Sequence, residues 1–159
     1  MRGGVLFGSG ALVGVMLMQL GAAQSNDVRT LNHVGMVVKN YEAAFDFYTK
    51  TMGFREAYTI KNDDGSVRLT YLQLNKNTFV ELIPAGPNQS TGITHFGVEV
   101  GDLAGTVATL RQRGATIDDP ARTPSQALFA RMKDPEGAQI EVMEFTPESL
   151  QRKAIDAWK

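Results

Sequence analysis

The feature that most constrains this chain is an internal repeat. Residues 31–38 read L-N-H-V-G-M-V-V and residues 93–100 read I-T-H-F-G-V-E-V. Each stretch leads into a capping residue (Asn40, then Asp102), a helically spaced apolar stripe, and several strand-like runs. The last run of each half carries a glutamate between apolar neighbours, F-V-E-L-I around Glu81 and Q-I-E-V-M around Glu141. His33 and His95 lie 62 residues apart, and Glu81 and Glu141 lie 60 apart. Within the halves, His33 to Glu81 is 48 residues and His95 to Glu141 is 46. Offsets this close are the mark of a duplicated unit, here in the order βαβββ.

The elements follow from period and punctuation. Period-two alternation makes 31–38 a strand. Asn40 caps a helix from Tyr41 to about Met52, with Ala44, Phe45, Tyr48 and Met52 on its stripe and Gly53 at its end. Strands are expected at 56–61, 67–74 and 77–83, with a turn over 62–65 and a Pro/Gly linker over 84–92. The second half repeats this with a strand at 93–100, a helix from Leu103 to Arg113, a short strand near 115–118 and a Pro-containing loop. Strands at 128–133 and 138–145 follow, joined by the turn Asp134-Pro135-Glu136-Gly137. Thr146 is expected to cap a last helix over 147–159, with Pro147 in its first turn. The fold class is therefore α+β, two tandem βαβββ modules over about 30–84 and 93–146 with a short C-terminal helix, in one domain spanning 24–159.

Alternation also places side chains. In a βαβββ unit the helix covers one face of the sheet, and on the first strand that face is Val34, Met36 and Val38. His33 then faces the other, concave side, and the same argument turns His95, Glu81 and Glu141 the same way. Four such groups on one buried face would be costly unless paired or bound to a metal. The chain has no cysteine, so any ion must be held by nitrogen and oxygen. Two imidazoles and two carboxylates suit one divalent Zn, Ni, Co, Mn or Fe ion. Glu99 shares the face of His95 and is expected at the rim; Glu144 falls on the opposite face, toward solvent. Arg68, Arg122, Arg131 and Lys133 read as surface charge, and Tyr71, Phe129 and Met143 as pocket lining or core.

Net charge is −1 with no basic block, which leaves nucleic acid nothing to grip. Residues 1–23 carry one charge, Arg2, then an apolar run from Val5 to Leu20 ending in Gly21-Ala22-Ala23. This is a secretory signal pattern. The expectation is export to the periplasm or medium, with no stable membrane span once the signal is removed.

The stretches L-N-H-V-G-M-V-V-K-N-Y-E-A-A-F-D-F-Y-T-K-T-M-G-F, F-V-E-L-I, I-T-H-F-G-V-E-V and D-P-E-G-A-Q-I-E-V-M-E-F together resemble the vicinal oxygen chelate superfamily, the glyoxalase/bleomycin-resistance/dioxygenase-like domains. The resemblance covers about residues 30–146. It implies an open, barrel-like cup built from two βαβββ modules around a divalent metal, with His33, Glu81, His95 and Glu141 at the family's four ligand positions. It implies a small-molecule substrate chelated through vicinal oxygens. The first functional expectation is an exported glyoxalase-like lyase or isomerase working through a metal-stabilised enediolate, with Glu141 as base and Glu81 as the steadier ligand. The alternatives are an Fe(II)-dependent dioxygenase, in which Glu81 is surplus, and a non-catalytic binding or resistance protein of the same fold. Export argues against a glutathione-linked substrate. A homodimer is the expected assembly.

Overall fold

A computed structural model describes residues 27–159; the signal segment expected over 1–23 lies outside the described residues. The chain forms one eight-stranded sheet: β1 (Val28–Val38), β2 (Arg55–Lys61), β3 (Val67–Asn75), β4 (Thr78–Pro84), β5 (Gly92–Val100), β6 (Ala121–Arg122), β7 (Leu128–Lys133) and β8 (Gln139–Glu144). The strand order is β2-β3-β4-β1-β5-β8-β7-β6. Each module is a meander whose last strand runs parallel beside its first, β4 along β1 and β8 along β5. The modules join where β1 and β5 pair antiparallel at the centre of the sheet. The duplicated βαβββ order read from the sequence is thus the order of the structure, and the sheet curls into an open cup.

Helices α1 (Tyr41–Asp46) and α2 (Leu103–Gln112) cover the convex side. Asn40 and Asp102 cap them as expected, each accepting the backbone N–H three residues on. Tyr41, Ala44, Phe45 and Tyr48 pack with Met36 and Val38 onto Leu72, Val80 and Leu82. Val98, Val100 and Val142 meet Leu103, Val107 and Leu110 in the same way. The α1 segment closes with a π-helical turn at Phe47–Thr51, in which Met52 N–H reaches back to Phe47 O at 3.0 Å. Thr49 Oγ1 donates to Phe45 O, competing for the carbonyl an α-helical ladder would use. The wider turn rotates Met52 off the apolar stripe, and it is 52% exposed. Gly53, at φ +75°, then turns the chain toward β2.

Four further expectations are corrected. The strand near 115–118 is a single bridge between Ile117 and Met132, and the short strand lies at Ala121–Arg122 instead. Arg111 donates to Ile117 O and to Asp119, which diverts the carbonyl a ladder would need. The last helix, α3, spans Leu150–Asp156 rather than 147–159, and its cap is Ser149, not Thr146. Thr146 Oγ1 donates to Gln126 O, so it fastens the preceding loop. Glu144 does not face solvent freely: Oε2 accepts the Leu103 N–H at the start of α2.

Helix α3 crosses the concave side. Ala154 and Ile155 join Tyr71, Phe79, Ala127, Met143 and Phe145 in the core inside the cup. Among the described residues no helix is long and apolar enough to cross a membrane.

Candidate metal centre

The register of the central strand pair sets the site. His33 on β1 lies opposite Gly97 on β5, and His95 on β5 lies opposite Gly35 on β1. A Cβ on Gly97 would stand inside the His33 ring, and one on Gly35 inside the His95 ring. Each histidine therefore occupies room that the other module's glycine leaves open. Both imidazoles then converge, with their Nε2 atoms 3.1 Å apart.

The carboxylates close the group. Glu81 Oε2 is 3.0 Å from His95 Nε2 and 3.9 Å from His33 Nε2. Glu141 Oε2 is 3.7 and 3.9 Å from the same two nitrogens. His33 is fully buried and the other three are less than a tenth exposed. Among the described residues, His33, Glu81 and His95 form a grouping whose donor atoms all lie within 4.8 Å of one another and could hold an ion. Glu141 stands beside them with Oε1 engaged by Arg131 Nε at 3.0 Å. Metal–nitrogen and metal–oxygen bonds of about 2.0–2.2 Å put neighbouring donors roughly 3–3.5 Å apart, close to the spacings found. The donor set and its convergence fit a divalent ion.

The residues before each histidine were missed in the sequence, and they set the tautomers. Asn32 Oδ1, a pure acceptor, takes the His33 Nδ1 proton. Thr94 Oγ1 gives its own proton to Gly35 O at 3.2 Å, so it can only accept from His95 Nδ1 at 3.0 Å. Both Nε2 lone pairs are thereby turned toward the centre, as a metal requires. Asn32 and Thr94 are also 62 residues apart. The available signal was a polar residue before each histidine on a strand face that is otherwise apolar.

Burial and the neighbouring His95 pull the His33 pKa down to about 3. Burial pulls on His95 as well, but the Glu81 hydrogen bond and the charges of Glu141 and Glu81 outweigh it and raise the value above 6.5. An entering ion thus displaces one proton, from His95, while His33 is already neutral. Metal affinity should fall by about tenfold per pH unit below the raised His95 pKa and level off above it. Competition against a chromophoric chelator across that range measures the slope. A slope near two would show that His33 also carries a proton.

The cup holds two spaces that share Arg68, Glu81, Arg131 and Glu141 in their walls. The outer, about 310 Å³, is lined by Val37, Arg68, Glu81, His95, Arg131 and Glu141. The inner, about 120 Å³, lies between Glu81 and Glu141 and a floor of Tyr58, Tyr71, Ser125 and Gln151. Arg68 and Arg131 therefore belong to the site rather than to anonymous surface, and Arg131 stacks over Phe129 at 4.8 Å. Arg122 and Lys133 are exposed. Tyr71 and Phe129 line the inner space, whereas Met143 sits in the core. Glu99 accepts from Arg152 Nη2 at 2.8 Å and ties α3 to β5. A larger cavity of about 600 Å³ lies under α2 and contains none of the four candidate ligands.

Comparison with known proteins gives a consistent picture. The family model described as the Glyoxalase/Bleomycin resistance protein/Dioxygenase superfamily matches residues 30–142. The Bacillus subtilis (strain 168) protein YwkD is 28% identical over 127 residues, 74% of this chain and 98% of its own. A mitochondrial methylmalonyl-CoA epimerase of Dictyostelium discoideum is 27% identical over 154 residues, covering 86% of this chain and 87% of that one. The crystal structure of methylmalonyl-CoA epimerase from Mycobacterium tuberculosis superposes with a TM-score of 0.68 at 21% identity, over 78% of this chain and 93% of that one.

Proposed function

This chain belongs to the glyoxalase/bleomycin resistance protein/dioxygenase superfamily, and from that premise we propose that it is a metal-dependent isomerase or lyase that moves a proton on the carbon beside a carbonyl. The observation that carries the reading is the pair of buried carboxylates, Glu81 and Glu141, flanking two imidazole nitrogens at the head of an accessible cavity. A divalent ion held by His33, Glu81 and His95 would supply Lewis-acid polarisation of the carbonyl. Glu141 then serves as the base, within reach of a substrate seated in the outer space. Arg131 orients Glu141 through Oε1 and leaves Oε2 turned to the centre. Arg68, on the other wall of the mouth, contacts an anionic part of the substrate. Epimerisation of a methylmalonyl thioester is chemistry of this kind, since the proton that moves sits on a carbon between two carbonyls.

The test is solvent exchange. Metal-loaded protein in deuterated water should exchange the proton next to the carbonyl in members of an α-keto and α-hydroxy acid and acyl-thioester panel, read by NMR, and metal-stripped protein should not. Equal exchange with and without metal would remove the reading. A second reading, an Fe(II) oxygenase, draws on the tighter grouping of two histidines with one carboxylate. Oxygen consumption by iron-loaded protein, without exchange by the zinc or cobalt forms, would favour it.

Export rests on residues 1–23 alone. Mass spectrometry of protein from its native host should find a mature start at or near Gln24, and an intact Met1 would withdraw the localisation.

A further inference from the structure

Strict alternation along β3 would send Arg68 to the convex side, because Leu69 and Tyr71 both belong to the core inside the cup. The strand register shows why it does not go there. Ile60 on β2 pairs with Leu69, but Lys61 pairs with Val67, so Arg68 is an extra residue with no partner across the ladder. A β-bulge of this kind re-aims the side chain it carries. Arg68 accordingly lines both the outer and the inner space of the cup. It is exposed, and among the described residues it forms no ion pair.

Arg131 reaches the same mouth from β7. Its guanidinium is held on two sides, by the Phe129 ring at 4.8 Å and by Glu141 Oε1, which accepts from Nε at 3.0 Å. The edge formed by Nη1 and Nη2 is left as a preset fork for a planar anion. Among the described residues, the acids lining the outer space are Glu81 and Glu141, and its remaining polar groups, Gln89, Thr94 and Gln139, are neutral. Charge balance then sets what the mouth can take. Imidazoles ligate a metal in their neutral form, so Glu81 and Glu141 together cancel the charge of a divalent ion. Arg68 and Arg131 remain in excess, and no acid in the wall answers them. Two anionic groups on one substrate match that excess, and a single one does not. The outer space of about 310 Å³ is about ten water volumes, room for a short diacid.

We infer that the substrate of this centre is a short α-keto dicarboxylic acid. Its keto-acid end meets the metal centre, and Arg68 and Arg131 take its second carboxylate. The inference rests on the metal-dependent reading above and narrows its substrate class from anions in general to diacids.

The experiment titrates α-ketoglutarate, α-ketovalerate and acetyl-CoA calorimetrically into the cobalt-loaded full chain. The two acids share one carbon skeleton and differ in a distal carboxylate or methyl group, whereas acetyl-CoA carries phosphates and no carboxylate. α-Ketoglutarate should bind at least about tenfold more tightly than α-ketovalerate, the scale of a charge-assisted pair, and more tightly than acetyl-CoA. Arg68→Gln should cut the preference between the acids to about threefold or less, with α-ketovalerate affinity and cobalt content unchanged. Arg68→Lys, which keeps the charge without the planar fork, should fall between the parent and the glutamine variant. Arg68 is exposed, so neither substitution disturbs the core. Equal binding of the two acids, no binding of α-ketoglutarate, tightest binding of acetyl-CoA, or a preference that survives Arg68→Gln would each overturn the inference. Exchange of the protons beside the keto group is followed in the same samples with and without metal. Diacid preference without metal-dependent exchange would remove the isomerase reading and leave the assignment of the two arginines. Metal-dependent exchange of both acids, bound equally, would do the reverse.

Discussion

Glu141→Gln is expected to lower turnover by about 10²–10⁴-fold, the scale of losing a positioned general base, while the protein still binds its metal. The glutamine keeps the size of the side chain, and its one amide oxygen can accept from Arg131 Nε as Glu141 Oε1 does at 3.0 Å. What then faces the histidine nitrogens is an NH₂ group, which neither takes a proton nor ligates. The tight grouping of His33, Glu81 and His95 remains intact, so metal content should change little. Glu81→Gln should show the opposite pattern, because Glu81 Oε2 sits 3.0 Å from His95 Nε2 within that grouping, and occupancy should fall first. Kinetics at matched metal content, with metal analysis of each variant, separates the two. A Glu141→Gln protein that exchanges the substrate proton as fast as the parent would show that Glu141 is not the base.

Gly35→Ala and Gly97→Ala should disable the centre as fully as removing the histidines they face. Each adds one methyl group where the opposite ring lies, so the ring must leave its place. Metal affinity should drop further than the about 10–100-fold that follows loss of an orienting partner, matching His95→Ala and His33→Ala respectively. The glycine variants should also lose about 1–3 kcal/mol of stability from overpacking, which the histidine variants need not share. Combining Gly97→Ala with His33→Ala should restore most of that stability without restoring the metal, a non-additive result typical of residues in contact. Metal titration and denaturant unfolding of the four single variants and the double variant measure both effects. An alanine at position 97 that leaves metal affinity unchanged would show that the strands separate easily at this point.

The parts of the fold legible in the sequence are those encoded by local period. Alternation around His33 and His95 fixed which face each imidazole takes, and the same held for Glu81 and Glu141 on β4 and β8. The caps at Asn40 and Asp102 were equally local. What escaped notice depends on pairings between distant segments. Arg131 reaches Glu141 only because β7 and β8 pair in that register. Arg152 reaches Glu99 across 53 residues, and Gln151 reaches Ser125 across 26. Such contacts depend on how α3 lies across the cup, which the amphipathic pattern of a seven-residue helix does not specify. Ser149 rather than Thr146 is the cap because the helix starts at Leu150, three residues further on than expected, where Ser149 Oγ accepts the Arg152 N–H. Met52 departs from the stripe because the segment widens into a π turn, which local spacing at a constant helical pitch does not register.

The crosswise fit of His33 with Gly97 and His95 with Gly35 has a consequence for descent. Neither module carries a complete instruction for its own histidine, since the space for that ring is encoded in the other half of the gene. A larger residue at position 35 is admissible only if position 95 shrinks with it, so each pair must be inherited as a unit. Chimaeras that join the first half of one relative to the second half of another will keep the centre only where both parents preserve the small residue on each side.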